Sequence, residues 1–257
     1  MSDKKRTKIS KSVKTKLRQS TLFEPEIKVT KCAQCGYEWI KTIKKSVTLH
    51  NMHHDDFLNG LTLPKPNYNT LINHGNCVDT FKVGGSRLVL YMCKSNNPVI
   101  TKIVDSMMKT LNKVWLNSMG ASTSWRNRPD ESPVFLLVEK SPTDKLSRVI
   151  GITTTDPPPK QQAYIKGYCM ELETANISSK EELKLSIGIS RIYVCPKYRR
   201  HHLAMAMLDA VLCHSLYGVK LNQWQIGFSQ PSGAGTLLLK KWYNNSKHIP
   251  VYHEVDN

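Results

Sequence analysis

Two groups of residues in this 257-residue chain have side chains whose type and spacing can do chemistry. The first is Cys32-Ala-Gln-Cys35 followed by His50 and His54, the pattern C-x2-C-x14-H-x3-H. Thiolates and imidazoles are the donors of tetrahedral zinc, and two cysteines on a tight knuckle can converge with two histidines one helical turn apart on a single ion. Trp39, four residues past Cys35, stands where a finger of this kind places its core aromatic. His53 rivals His54, because an i,i+3 pair also brings two imidazoles to one helix face; His54 is preferred. One ββα finger reads only about three base pairs, so its expected job is structural or protein-docking.

The second group is Arg199-Arg-His-His-Leu-Ala204, between a strand-like run, Ile187 to Cys195, and a helix-like run with Leu203, Met207, Leu208, Val211 and Leu212. Backbone N–H groups at a helix N-terminus form an anion site suited to a pyrophosphate. Arg199 and Arg200 add charge there, and a residue as small as Ala204 lets phosphates approach the backbone. The glycines at 233 and 235 lack the Gly-Lys-Ser/Thr of a nucleotide P-loop, and the chain has no G-x-G-x-x-G.

The elements that must position these groups can be read from periodicity. Residues 27–56 form the Cys/His unit, and the polar, Asn-rich stretch 57–84 reads as a linker. A second domain, 85–257, opens with a strand at 87–93. A helix follows at 98–117, carrying Ile100, Ile103, Val104, Met107, Met108 and Leu111 at three- and four-residue spacings. Residues 134–138 and 148–152 read as a strand pair, the run 174–184 as a loop or short helix, 187–195 as a strand and 201–217 as a helix. The chain closes with a strand at 223–228, a helix at 235–243 and a strand at 248–253.

Ile187-Gly-Ile-Ser-Arg-Ile-Tyr-Val-Cys195, Arg199-Arg200, Leu203-Ala204 and Ile226-Gly-Phe-Ser-Gln-Pro231 together resemble the cohesin N-acetyltransferase family. The loop itself is similar to the Q/R-x-x-G-x-G/A acyl-coenzyme A loop of Gcn5-related N-acetyltransferases, with His202 at the usual Gly position. The order of basic tail, C2H2 finger, linker and transferase also matches; the resemblance is specific from 186 to 243 and loose from 57 to 180. It implies an α/β Gcn5-related fold, a central mixed, mainly antiparallel sheet flanked by helices, preceded by a small ββα-like zinc finger and a disordered basic tail, residues 1–26.

The resemblance further implies acetyl-CoA as co-substrate, structural zinc, and lysines of the cohesin ATPase subunit as substrate, in the nucleus, in support of sister chromatid cohesion during DNA replication. Asp209 falls at the position of the family's glutamate base, one carbon shorter. Ser190 matches the family's strand serine, and Gln230, where some members carry an acid, would orient substrate. Ile192, Tyr193 and Val194 would pair with the pantetheine arm, and Arg199, Arg200, His201, His202, Leu203 and Ala204 would hold the pyrophosphate. Tyr217, Trp242 and Tyr243 are candidates for shaping the cleft or protonating the leaving thiolate, with core packing the favoured reading of each.

Composition bounds these readings. With 40% apolar and 22% charged residues the chain is of ordinary globular composition, no apolar run is long enough to span a membrane, and no apolar signal segment opens it, so an intracellular protein is expected. Seven cysteines, only two of them closely spaced, argue against a disulfide framework. Lys plus Arg outnumber acids 37 to 20, and residues 1–18 hold eight basic side chains against Asp3 alone. Such a block is expected to be a solvated tail able to contact DNA or chromatin phosphates. Gln19-Ser-Thr-Leu22-Phe23 looks like the front half of a clamp-binding box, with Pro25 and Glu26 where its two aromatics belong. The reading of another class is a zinc-finger nucleic-acid-binding protein with a non-catalytic α/β scaffold, marked by its +17 charge.

Overall fold

The computed structural model describes residues 28–94, 97–115, 133–140, 146–229 and 231–254. The basic tail with Gln19–Phe23, and Gln230, lie outside the described residues.

The Cys/His unit is a short antiparallel hairpin, β1 (Val29–Lys31) and β2 (Glu38–Ile40), followed by helix α1 (Lys44–Asn59). Its C-terminal end is set by Gly60, whose φ of 97° suits glycine and whose absent side chain would sit 2.6 Å from the Val149 carbonyl. That close approach lets the chain turn directly into β3 (Leu61–Leu63), helix α2 (Lys65–His74) and β4 (Gly75–Val83). The stretch read as a linker is therefore folded. The alternation in β4 of polar residues with half-buried Val78, Phe81 and Val83 is that of a strand with one solvated face.

The main sheet runs β4, β5 (Ser86–Cys93), β6 (Val134–Lys140), β7 (Ser147–Asp156), β10 (Ile187–Val194), β11 (Ile226–Phe228), β12 (His248–Tyr252), β8 (Ile165–Glu171) and β9 (Ile177–Leu185). Most pairs are antiparallel; β10–β11 and β11–β12 are parallel. The run 174–184, expected to be a loop or short helix, is largely β9, which pairs with β8. Helix α3 (Pro98–Trp115) buries Ile100, Ile103, Val104, Met107, Met108 and Leu111, as its periodicity requires. Helix α4 (Leu203–His214) follows β10, and α5 (Gly233–Trp242) follows β11. The core is continuous from Leu71 through the fully buried run Val134–Leu137 to Leu208 and Trp242.

Strand β7 is shared in an informative way. One side pairs with β6, from Val134↔Thr154 to Glu139↔Arg148. The other pairs first with β10, down to Val194↔Gly151, and then with β3, where Leu61 meets Val149 and Leu63 meets Ser147. Arg148, on this stretch, donates to Asp55 Oδ2 at 2.9 Å and to the Gly60 carbonyl at 2.8 Å. Although burial works against it, hydrogen bonding from Asn59 and Arg148 holds the Asp55 carboxyl below its ordinary range. Tyr193 of β10 donates its hydroxyl to the Phe57 carbonyl of α1 at 2.8 Å. The finger helix thus rests on the same two strands that form the centre of the sheet.

Candidate active site and metal centre

The ligand atoms of Cys32, Cys35, His50 and His54 lie within 4.8 Å of one another, the one such cluster among the described residues. A tetrahedral zinc with bonds of roughly 2.0–2.3 Å holds its donors about 3–4 Å apart, so little closure is needed. Both ring nitrogens of His50 are buried without a hydrogen-bond partner, a costly state for an imidazole that a metal would relieve. Trp39 stacks on His50 at 4.5 Å with planes 3° apart, fixing that ring. His54 Nδ1 lies 3.5 Å from Cys32 Sγ, whereas the His53 ring lies 5.0 Å from that of Tyr37; the cluster takes His54. Burial opposes the Cys32 thiolate, but backbone groups of Cys35 and Gln34 and the His50 side chain draw its thiol down to about 6. The donor set fits structural zinc.

At the centre of the sheet, β10 and β11 pair only from Ile187↔Ile226 to Ile189↔Phe228. The backbone of Ser229 still reaches the Ile189 carbonyl at 3.1 Å, and beyond that point the strands part. Ser190 is the extra residue of a bulge against β7, where Ile189 faces Thr155 and Arg191 faces Thr154. Ile192, Tyr193 and Val194 follow on the stretch that β11 leaves, so their backbone on that side stands outside the β10–β11 ladder. An extended amide-containing arm could add there as a strand.

The chain then passes a 3-10 turn (Pro196–Tyr198) and enters α4 through two left-handed residues, Arg200 at φ 69° and His202 at φ 60°. Left-handed residues just ahead of a helix gather N–H groups into an anion-binding concavity. Leu203 is buried and anchors the helix, Ala204 is half-buried, and Arg200, His201 and His202 are exposed. Arg199 donates Nε–H to the Val194 carbonyl at 3.0 Å and lies 5.6 Å from the Tyr193 ring centre. It ties the end of β10 to the loop while its side chain stays exposed.

Asp209, on the second turn of α4, is exposed, and its Oδ1 accepts the indole N–H of Trp242 at 2.8 Å. Trp242 and Tyr243 are buried and meet Phe228 edge-on, as core packing predicts. Tyr217 is fully exposed and belongs to no core.

A half-buried carboxyl at the strand opening escaped the sequence reading. Asp156, the last residue of β7, accepts from Tyr252 at 2.5 Å and from Ser190 at 3.3 Å, and Ser190 lies 2.9 Å from Thr154 Oγ1. The signal was the run Thr153-Thr-Thr-Asp156 before Pro157, in which three fully buried threonines end a central strand.

Comparison with known proteins decides the family. The family model described as ESCO1/2 acetyl-transferase matches residues 183–252, the region holding both the strand opening and the loop. N-acetyltransferase ECO1 of Debaryomyces hansenii is 31% identical across 98% of this chain and 93% of its own length. The chain belongs to the Eco1/ESCO N-acetyltransferase family. ECO1 of Kluyveromyces lactis is 26% identical over 98% of this chain and all of its own length. The acetyltransferase domain of xEco2, solved bound to a CoA conjugate, has the same fold, with a TM-score of 0.54 and 22% identity over 71% of this chain and 99% of that one. As a member of the Eco1/ESCO family this chain is an acetyltransferase enzyme, built on a large, mostly antiparallel sheet flanked by helices. Among the described residues no helix is long and apolar enough to cross a membrane.

Proposed function

We propose that this enzyme transfers the acetyl group of acetyl-CoA to lysines of the cohesin ATPase subunit, in the nucleus, in support of sister chromatid cohesion during DNA replication. The observation that carries the reading is the parting of β10 and β11 after Ile189, directly ahead of the left-handed loop at the start of α4. The pantetheine arm pairs with Ile192–Val194, and the loop from Arg199 to Ala204 takes the pyrophosphate through backbone N–H groups and cationic side chains. The thioester then lies at the opening beside Ser190.

The amine attacks only once it has lost its proton. Asp209, directly or through one water, takes that proton, with Trp242 fixing one carboxylate oxygen and so the direction of the other. A backbone N–H of parted β10 stabilises the tetrahedral oxyanion, and on its collapse the C–S bond breaks and CoA leaves as its thiolate, which takes a proton from solvent. Gln230 orients the substrate chain. Cys32, Cys35, His50 and His54 would hold a structural zinc, which would close the finger whose helix bears on β7 and β10. The basic tail contacts chromatin phosphates, and Gln19–Phe23 is a degenerate contact for the replication clamp.

The test is mass spectrometry of a recombinant cohesin head incubated with the full-length protein and acetyl-CoA. New acetyl-lysines on the head are the expected result. Thermal protection by acetyl-CoA without acetylation of the head would leave the fold with another substrate.

A further inference from the structure

Asp156 joins side chains from three strands. Its Oδ2 accepts the Tyr252 hydroxyl of β12, its Oδ1 accepts the Ser190 hydroxyl of β10, and Gly188 is its own register partner. Arg191 and Glu254 stand beside it as an ion pair at 2.6 Å, with side chains only 10% and 14% exposed. Among the described residues, Tyr252, Ser190, Arg191 and Glu254 are the titratable and charged or hydroxyl-bearing neighbours that act on the carboxyl. Burial first, and then the charge of Glu254, push the Asp156 carboxyl above the ordinary carboxylate range, against the pull of Tyr252, Ser190 and Arg191. Sheet stability does not call for such a group, since a neutral residue of the same size fills the space without the cost of a buried charge. Shifted carboxyls at a cleft mark working sites.

The hydrogen-bond inventory gives the group a task. An ionised carboxylate only accepts, so Ser190 must donate to Asp156, and Thr154 then donates to Ser190 at 2.9 Å. Both hydroxyl protons point along the chain Thr154 to Ser190 to Asp156, and one lone pair of Ser190 Oγ is left over. Ser190 is the first residue beyond the last β10–β11 pair, at the opening itself.

We propose that Asp156 is a positioning residue for acetyl transfer, which fixes the Ser190 hydroxyl so that its remaining lone pair accepts an N–H of the incoming substrate amine. This rests on the reading that the thioester lies at the β10–β11 opening. No covalent bond changes at Asp156: the amine's departing proton goes to Asp209 or its water, while a second N–H is held by Ser190. Protonated Asp156 would donate to Ser190 instead; with Thr154 still donating as well, both lone pairs of Ser190 Oγ are taken and its own hydrogen turns toward the substrate.

The experiment measures kcat, KM and their pH dependence for the full-length protein on a cohesin head and, in parallel, on poly-lysine, so that failure of the substrate reading leaves the amine chemistry readable. Asp156→Asn should lower kcat about 10- to 100-fold, the scale of a misplaced reactant. Acetyl-CoA affinity should stay within about twofold, as expected of a group that acts through Ser190 rather than on the cofactor. The acid limb of the rate profile should move to lower pH. Tyr252→Phe, which removes a hydrogen bond favouring the charged form, should move that limb to higher pH, and it serves as the second variant should Asp156→Asn fold poorly. In a Ser190→Ala background, Asp156→Asn should cost nothing further. Wild-type kinetics and acid limb in a folded Asp156→Asn, or penalties of the two substitutions that multiply, would overturn the proposal. Wild-type inactivity on both acceptors would overturn it together with the substrate reading.

Discussion

The ring of Tyr252 occupies the space that a side chain at Gly188 would need: a Cβ there would lie 2.4 Å from Tyr252 Cζ and 2.8 Å from its hydroxyl oxygen. The glycine of the Gly-Ile-Ser-Arg run is thus part of a passage by which β12 reaches Asp156 across β11 and β10. Gly188→Ala should displace a buried ring and cost about 1–3 kcal/mol of stability, as overpacking does. It should also detach the phenol from Asp156, so turnover falls further than thermal stability does. Chemical denaturation alongside steady-state rates checks both.

Loss of the metal should be felt beyond the finger. Cys35→Ser removes a buried donor from the cluster, and the helix carrying His50 and His54 also supplies Asp55 and the Phe57 carbonyl to Arg148 and Tyr193. Elemental analysis should find one zinc per wild-type chain and none in the variant, and the main unfolding transition should shift down. Tyr193→Phe should retain the zinc while losing one buried hydrogen bond, about 1 kcal/mol.

His202 holds a φ of 60° at the entrance to α4. A non-glycine residue pays roughly 1–2 kcal/mol for this conformation, and glycine returns about 0.5–1 kcal/mol of that as extra unfolded-state entropy. His202→Gly should therefore raise the melting temperature slightly and keep acetyl-CoA binding. His202→Val, whose branched side chain resists this conformation, should lower both. Ala204→Asp, by placing a carboxylate at the phosphate site, should abolish binding measured by calorimetry.

Asp209→Asn should depress turnover by roughly 10²-fold, the scale of general base catalysis, with cofactor affinity nearly intact. Trp242→Phe tests the same group from the other side, because it deletes the indole N–H that holds Oδ1. Its rate should fall by less than that of Asp209→Asn, and its melting temperature by more, since the indole is buried.

Asp156 also predicts a pH dependence of stability. Its folded carboxyl holds a proton more tightly than an unfolded aspartate, whose pKa is about 3.9. Between those two pKa values the native state binds the extra proton, so stability from this group declines as pH rises through that window and stays reduced above it. Asp156→Asn should flatten the decline and equal or exceed the wild type in melting temperature at pH 8.

What could be read in advance follows the burial of each strand. Ile187–Val194 and Val134–Lys140 are central strands, and their apolar runs declare themselves. Of the strands missed or misread, β4 and β9 lie at the two ends of the sheet, where one ladder side and much of the surface are solvated, whereas β3 is only three residues long and β8, though paired on both sides, is broken up by Lys166 and Gly167. Residues such as Asn76, Asp79, Ser178 and Glu182 therefore read as loop. The Cys/His cluster was legible because its spacing is local. Asp156 was not: its partner Tyr252 lies 96 residues away, and no periodicity announces that meeting. Asp209 was found by resemblance, but its tie to Trp242 needed α4 and α5 side by side.

Leu61–Leu63 take over the flank of β7 that β10 gives up. A shortened protein beginning at residue 85 would strip that flank, leaving the amides and carbonyls around Ser147–Val149 bare and Arg148 without Asp55. It would also turn β5 into a new rim of the sheet by removing β4. Raw strand edges recruit strands from other molecules, so such a fragment should self-associate on gel filtration, while one starting ahead of β1, with Cys32 and Cys35 retained, should run as a discrete species. The boundary at which this enzyme can be cut lies before the finger's first strand, on the far side of the segment whose composition most invites the scissors.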